Sequence, residues 1–309
     1  MCKANRQLAV RLPMMPRDTS ELGNISGGVI LSQIDLAAAI VSKSACSNAR
    51  VNRMVTRAMN EVEFTSPVLV GDVLCCYGSI MRTGKTSVTV HVDVEVDRNG
   101  RIIPVTEATV VFVALDENGK PTPIGNASAE FGAPAAVATT GTAADSSTSR
   151  IEALPATAPA SGERIVALKK VMMPNETNGM GNIFGGLLLT YMDWAGSYVA
   201  RRSCKNKVIA RCVTRFMDKI EFKHAVHVND ILTCYGSVTK IGRSSVSVHV
   251  DVEVDRGGQI IPVTQADLVF VAVNQKGKAV PLSCAADSTG RKRAKAASSR
   301  KSSASCKCK

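Results

Sequence analysis

The chain is written twice. Asp35 recurs as Asp193, and the same offset of 158 residues carries Glu63 to Glu221, Asp72 to Asp230, Gly84 to Gly242, His91 to His249, Asp97 to Asp255, Pro104 to Pro262 and Phe112 to Phe270. No gap is needed between Leu8–Ile124 and Val166–Leu282. A unit of that length can bury a core of its own, so the repeat predicts two like domains, residues 8–124 and 165–282. Residues 125–164 between them, rich in Ala, Thr, Ser, Pro and Gly, predict a flexible linker long enough for the two copies to pair side by side. Residues 283–309 hold eight Lys or Arg and one Asp, the pattern of a solvated, disordered basic tail. That tail carries +7 of the formal +12, and the remaining +5 does not make the body a nucleic-acid binder. The tail's own partner stays unassigned.

Within each copy the pattern reads strand, long loop, helix, then four strands. Leu8–Leu12 opens it, a helix is predicted over 27–46 (185–204 in the second copy), and strands over 51–64, 73–81, 87–97 and 102–115 follow. The clearest is Ser87–Asp97, with valine at every second position, repeated as Ser245–Asp255. The sum is an α+β fold of two tandem domains, each a long buried helix wrapped by an antiparallel sheet. No apolar run reaches the roughly 18 residues of a membrane span. The few residues before the first strand are too short for a signal or transit peptide, so a cytoplasmic protein is expected. The ten cysteines lack zinc-type spacing, and no metal site is expected. His91, Asp93 and Glu95 share one strand face, read as a solvated surface opposite the valines.

The helix sequences carry the chemistry. Gly27-Gly28 and Gly185-Gly186 each open a largely apolar helix interrupted by one acid, Asp35 or Asp193. A carboxylate buried there needs partners or takes up a proton. Neither has a basic residue three or four positions away on its own helix, so partners must come from elsewhere. The preceding loop offers Ser20 and Asn24 in one copy, Asn178 and Asn182 in the other. Glycine pairs let a ligand approach the free N–H groups of a helix start, which suit a polarised carbonyl oxygen. Carboxylate, amide side chain and exposed N–H groups together fit hydrolysis of an activated acyl group.

The stretch Met173-Pro-Asn-Glu-Thr-Asn-Gly-Met-Gly-Asn-Ile-Phe-Gly-Gly186, followed by Tyr191-Met-Asp193 and Gly242-Arg-Ser-Ser245, resembles the signature of hotdog-fold acyl-CoA thioesterases of the tandem, double-hotdog type. The resemblance covers both repeats. It implies hydrolysis of acyl-CoA to free fatty acid and coenzyme A with no cofactor, coenzyme A being part of the substrate. It implies that the helix Asp of one hotdog works with the loop Asn of the other, and that chains assemble as a homo-oligomer, three double hotdogs in a ring. Carried over by position, the pairs are Asp35 with Asn178 and Asp193 with Ser20. Serine departs from the pattern, so one effective site per chain is expected, at Asp35. Gly84, Lys85 and Ser87, with Gly242, Arg243, Ser244 and Ser245, match the family's coenzyme A-contacting turn. The alternatives are a non-hydrolytic acyl-CoA binder or regulator, suggested by Ser20, and a hotdog hydratase or dehydratase, which would need a His that neither motif contains.

Overall fold

A computed structural model of the chain describes residues 6–19, 24–125, 163–178, 181–204, 211–274 and 277–282. Most of the predicted linker, all of the basic tail, and Ser20 lie outside the described residues.

The first repeat contains β1 (Gln7–Pro13), α1 (Gly27–Ser44), β2 (Arg53–Met59), β3 (Val62–Glu63), β4 (Val73–Thr83), β5 (Ser87–Arg98) and β6 (Arg101–Leu115). The second contains β7 (Ile165–Val171), α2 (Gly185–Ser203), β8 (Arg211–Met217), β9 (Ile220–Glu221), β10 (Ile231–Ile241), β11 (Ser245–Arg256) and β12 (Gln259–Val273). All ladders are antiparallel, in two six-stranded sheets ordered β1-β4-β5-β6-β2-β9 and β3-β8-β12-β11-β10-β7. The alternating valines behave as their period demands: Val88, Val90, Val92, Val94 and Val96 of β5, and their five counterparts in β11, are buried in a core shared with the helices.

The predicted strand over 51–64 is two strands, and the break has a physical cause. At Asn60 the chain turns out of its own sheet, where the Asn60 N–H donates to the Thr109 carbonyl. It then pairs with the other repeat: Val62 opposite Met217 and Glu63 opposite Phe216. The second repeat reciprocates, Ala58 lying opposite Glu221 and Met59 opposite Ile220. Each repeat therefore lends a two-residue strand to its partner's sheet, covering hydrogen-bonding groups that an open edge would expose.

The helices pack on each other at their glycine ends. A Cβ on Gly28 would lie 2.7 Å from the Thr190 Cα, and one on Gly186 would lie 2.8 Å from the Ser32 Cα, so the crossing tolerates no side chain. The helices are not buried all round. Leu36 and Ile40 on α1, and their counterparts Trp194 and Tyr198 on α2, remain between 37% and 48% exposed and face two clefts. Among the described residues no helix is long and apolar enough to cross a membrane.

Candidate active site

Both acids sit on the third turn of a helix, at the crossing. Asp35 is fully buried. Its Oδ1 accepts from the Thr56 hydroxyl of β2 at 2.7 Å, and its Oδ2 accepts from the Gly186 N–H of the opposite repeat, also at 2.7 Å. Burial pushes its pKa up from 3.8 to about 6, against the opposing pull of those two donors. Asp193 repeats the arrangement with an addition. Its carboxylate accepts from the Thr214 hydroxyl at 2.5 Å and from the Gly28 N–H, and also from the Ser26 hydroxyl at 2.7 Å. Burial again raises its pKa, now against three donors.

Two of the four glycine amides expected to meet a carbonyl therefore do something else. The N–H groups of Gly28 and Gly186 are committed to the carboxylates. The cause is the tightness of the crossing, which brings each helix start against the other helix. Gly27 and Gly185, one residue earlier, keep helix-start N–H groups that have no intrahelical acceptor.

Each acid is associated with its own cleft. The Asp35 cleft, about 890 Å³, is lined by Thr56, Leu36, Ile40, Asn178, Asn182, Phe184 and Gly185, with Arg53, Arg57, Lys43, Lys223 and His224 among its polar residues. It brings Asn178 to the same cavity as Thr56 and Gly185, the two residues that screen Asp35. A Cβ on Gly185 would lie 2.9 Å from the Thr56 Oγ1 and 3.3 Å from the Asp35 Oδ2, so this glycine passes close to both. The Asp193 cleft, about 1290 Å³, is lined by Asn24, Ser26, Gly27, Trp194, Tyr198, Arg201, Arg202, Thr214 and Asp193 itself.

The loops that deliver the polar side chains are not equally braced. Residues Pro174–Glu176 form a 3-10 turn, and Glu176 is gripped by Lys170 of β7 and by the Tyr191 hydroxyl of α2. Lys170 also donates to the Tyr191 oxygen at 2.7 Å, and the Met173 N–H donates to Glu176 at 2.8 Å. This brace lies two residues before Asn178. In the first repeat the corresponding positions are Leu12, Asp18 and Gln33, and Asp18 only receives the Met15 N–H and lies beside Arg17.

The turns matched to coenzyme A contacts are hairpin ends closed by Gly84 N–H to Ser87 O and Gly242 N–H to Ser245 O, each at 2.7 Å. None of Gly84, Lys85, Ser87, Gly242, Arg243, Ser244 and Ser245 lines either cleft. Ser87 is one strand removed, paired with Val113 at the Asp35 cleft, and Ser245 is likewise paired with Val271 at the other. On the outer sheet face, potential ligand atoms of His91, Asp93 and Glu107 come within 4.8 Å of one another. In the second repeat, hydrogen bonds to Asp251 and Asp267 push His249 up to about 9. Glu95 lies 3.6 Å from Arg6. None of these residues borders a cleft.

Residue-type reasoning missed three groups. Thr56 and Thr214 occupy equivalent places in the repeat, which was the available signal. Ser26 stands where the second repeat has Phe184, a difference between the repeats that the sequence shows without its role. His224, whose counterpart in the first repeat is Ser66, lines the Asp35 cleft with its Nδ1 2.7 Å from the Pro262 carbonyl oxygen. Among the described residues the hydrogen-bond partners of the two aspartates are Thr56, Gly186, Ser26, Thr214 and Gly28.

An antiparallel sheet around a central helix, doubled, with paired helix-borne acids facing the opposite repeat's helix start, defines a tandem hotdog protein. The family model of the thioesterase superfamily matches residues 22–103 and 180–261, more than half of the chain, and the chain belongs to that superfamily. Two proteins named acyl-CoA thioester hydrolase YciA are similar to it. That of Salmonella typhimurium is 37% identical over 123 residues, 38% of this chain and 90% of the relative. That of Escherichia coli is 38% identical over 119 residues, 37% and 87%. An acyl-ACP thioesterase from Bacteroides thetaiotaomicron shares the double fold at a TM-score of 0.55 and 11% identity, covering 84% of this chain and 96% of that one.

Proposed function

We propose that the chain hydrolyses acyl-CoA thioesters to free fatty acid and coenzyme A, chiefly at the Asp35 cleft and without a bound cofactor. The observation that carries the site is a buried carboxylate with a pKa raised to about 6, held by one hydroxyl and one N–H from the opposite repeat. Near neutral pH such a group is ionised yet still basic, which suits activation of water. Asp35 is the general base, reached when Thr56 rotates away from its Oδ1. Asn178 positions the water and the thioester, and the Gly185 N–H receives the developing oxyanion. Leu36, Ile40 and Phe184 offer the acyl chain an apolar wall.

The second acid is the weaker one in this reading. A third donor on Asp193 stabilises its charged form and lowers its appetite for a proton. The loop before α1 also lacks the Lys170–Glu176–Tyr191 brace. One observation favours the opposite assignment: Asp193 itself lines its cleft, whereas Asp35 is screened. Separate Asp35→Asn and Asp193→Asn variants decide, with thiol release from palmitoyl-CoA as the readout. Loss confined to Asp35→Asn supports the reading, and loss confined to Asp193→Asn reverses it. Binding of the ester without thiol release by the wild type would instead make the chain a regulator.

The cytosol is the compartment this reading assumes, and a ring of three chains the assembly. Apolar residues exposed at equivalent places of both repeats, Leu8 with Val166 and Ile102 with Ile260, give such contacts a surface. Light scattering that returned a single chain would remove the ring.

A further inference from the structure

The mouths of the two clefts differ in how their arginines are compensated, and the cause is a single position in the repeat. Arg57 and Arg215 are equivalent, each at the end of a strand beside the acid lent by the other repeat. Arg215 is ion-paired with that acid, its Nη2 lying 2.8 Å from the Glu63 Oε1. Arg57 has no such pair among the described residues. The acid next to it, Glu221, is held instead by Lys219, with the Lys219 Nζ 2.9 Å from the Glu221 Oε1. Residue 61, the counterpart of Lys219, is Glu, which offers Glu63 no cation and leaves it to Arg215. Arg57 meanwhile has one guanidinium nitrogen on the Phe222 carbonyl.

Arg57 lines the Asp35 cleft together with Lys43 and Lys223, all three exposed. The acid on that rim, Glu176, is already taken up by Lys170 and Tyr191. In the other cleft Thr65 occupies the place of Lys223. Three exposed cations beside the half-buried Arg53, with Glu176 the one acid among the described lining residues, suit a polyanion, and guanidinium and ammonium groups bind phosphate by charge-assisted hydrogen bonds.

We propose that Arg57, Lys43 and Lys223 seat the phosphate groups of the coenzyme A moiety at the mouth of the Asp35 cleft, and that Lys219, by holding Glu221, keeps Arg57 open to them. The inference rests on the thioesterase reading and adds to it a polarity for the substrate: phosphates on this rim, acyl chain past Leu36 and Ile40. The seat is distinct from the Gly84 and Gly242 turns. Lys219 is a positioning residue, acting through Glu221 and Arg57.

The test compares two esters of one acyl group, acyl-CoA and the truncated acyl-N-acetylcysteamine, which keeps the thioester and lacks the phosphates. Lys219→Glu frees Glu221 to pair with Arg57. KM for acyl-CoA should rise roughly three- to tenfold relative to KM for the truncated ester, with the kcat ratio of the two esters unchanged. Arg57→Ala should give a shift of the same sense, and adding Glu221→Gln to Lys219→Glu should restore the KM ratio. In the wild type, added salt should raise KM for acyl-CoA and spare the truncated ester. An unaltered KM ratio in Lys219→Glu, a rise shared by both esters, or a failure of Glu221→Gln to rescue would each overturn the seat. Those outcomes leave hydrolysis of the truncated ester intact, whereas a wild type inert toward both esters would overturn the hydrolase reading and this inference with it.

Discussion

The two clefts of this chain come from one ancestral design and differ at the places where chemistry is set. Around Asp35 the carboxylate has two donors, Phe184 stands at the helix start, and the preceding loop is braced by Lys170, Glu176 and Tyr191. Around Asp193 the carboxylate has three donors, Ser26 replaces the phenylalanine, and the walls are Trp194 and Tyr198 in place of Leu36 and Ile40. In the proposed reading, a duplicated site loses potency without losing its acid. The added Ser26 hydroxyl pulls the Asp193 pKa down against the burial that raises it.

The comparison breaks most visibly in turnover. Asp35→Asn should lower kcat by roughly 10²- to 10⁴-fold, the usual range for a lost general base, while Asp193→Asn should cost less than about threefold. Thiol release measures both, and equal losses would erase the asymmetry.

A smaller effect lies in pH dependence. With ionised Asp35 as the proposed base, kcat/KM should rise with pH through about 6 and then level off. Thr56→Val removes a donor that favours the ionised form and should move that limb to higher pH by roughly half a unit to one unit. Thr214→Val should leave it in place. A limb that moves with Thr214 and not with Thr56 would assign the work to the other cleft.

Stability offers a third contrast. Burial raises the folded-state pKa of Asp35 from 3.8 to about 6, so the folded state holds this proton more tightly than the unfolded chain. Its charge therefore costs stability progressively as pH climbs from about 4 to 6, and the full cost is present at pH 7. Asp35→Asn should stabilise the protein at pH 7 by roughly 1–3 kcal/mol and by much less at pH 4, read from denaturant melts at both values. A variant inactive and less stable at pH 7 would mean that the site was lost through misfolding.

The smallest effect is optical. Trp194 is the only tryptophan of the chain and lines the Asp193 cleft. Its emission should stay unchanged at substrate concentrations that saturate turnover, since the Asp35 cleft contains no tryptophan. Quenching that tracks the turnover curve would show both clefts filling together.

Much of this was legible from the sequence because the duplication supplied a second reading of every position. The helix acids and the valine-faced strand follow from period and offset, and the working of one repeat's acid against the other repeat was what the family resemblance implied. What escaped detection depends on three-dimensional closeness. The break at Asn60 is set by where the other repeat's β8 lies, which no local pattern around residue 60 records. The commitment of the Gly28 and Gly186 amides follows from a helix crossing tighter than a ligand-facing helix start requires. Thr56, Thr214 and Ser26 are ordinary residue types whose role comes from lying within 3 Å of an acid on another element. The Arg57 contrast turns on Lys219 against Glu61, a charge reversal that means nothing until β9 is seen beside β2.

The reciprocal loan of β3 and β9 has a consequence for the gene as well as the fold. Neither half can complete its own sheet, so severing the chain between residues 126 and 162 should yield two fragments that stay clasped through gel filtration. A lone half produced by itself would present an unfinished border and seek a twin. Any truncated transcript that kept one copy would thus yield a protein driven to pair with itself, carrying two equal pockets in place of two unlike ones.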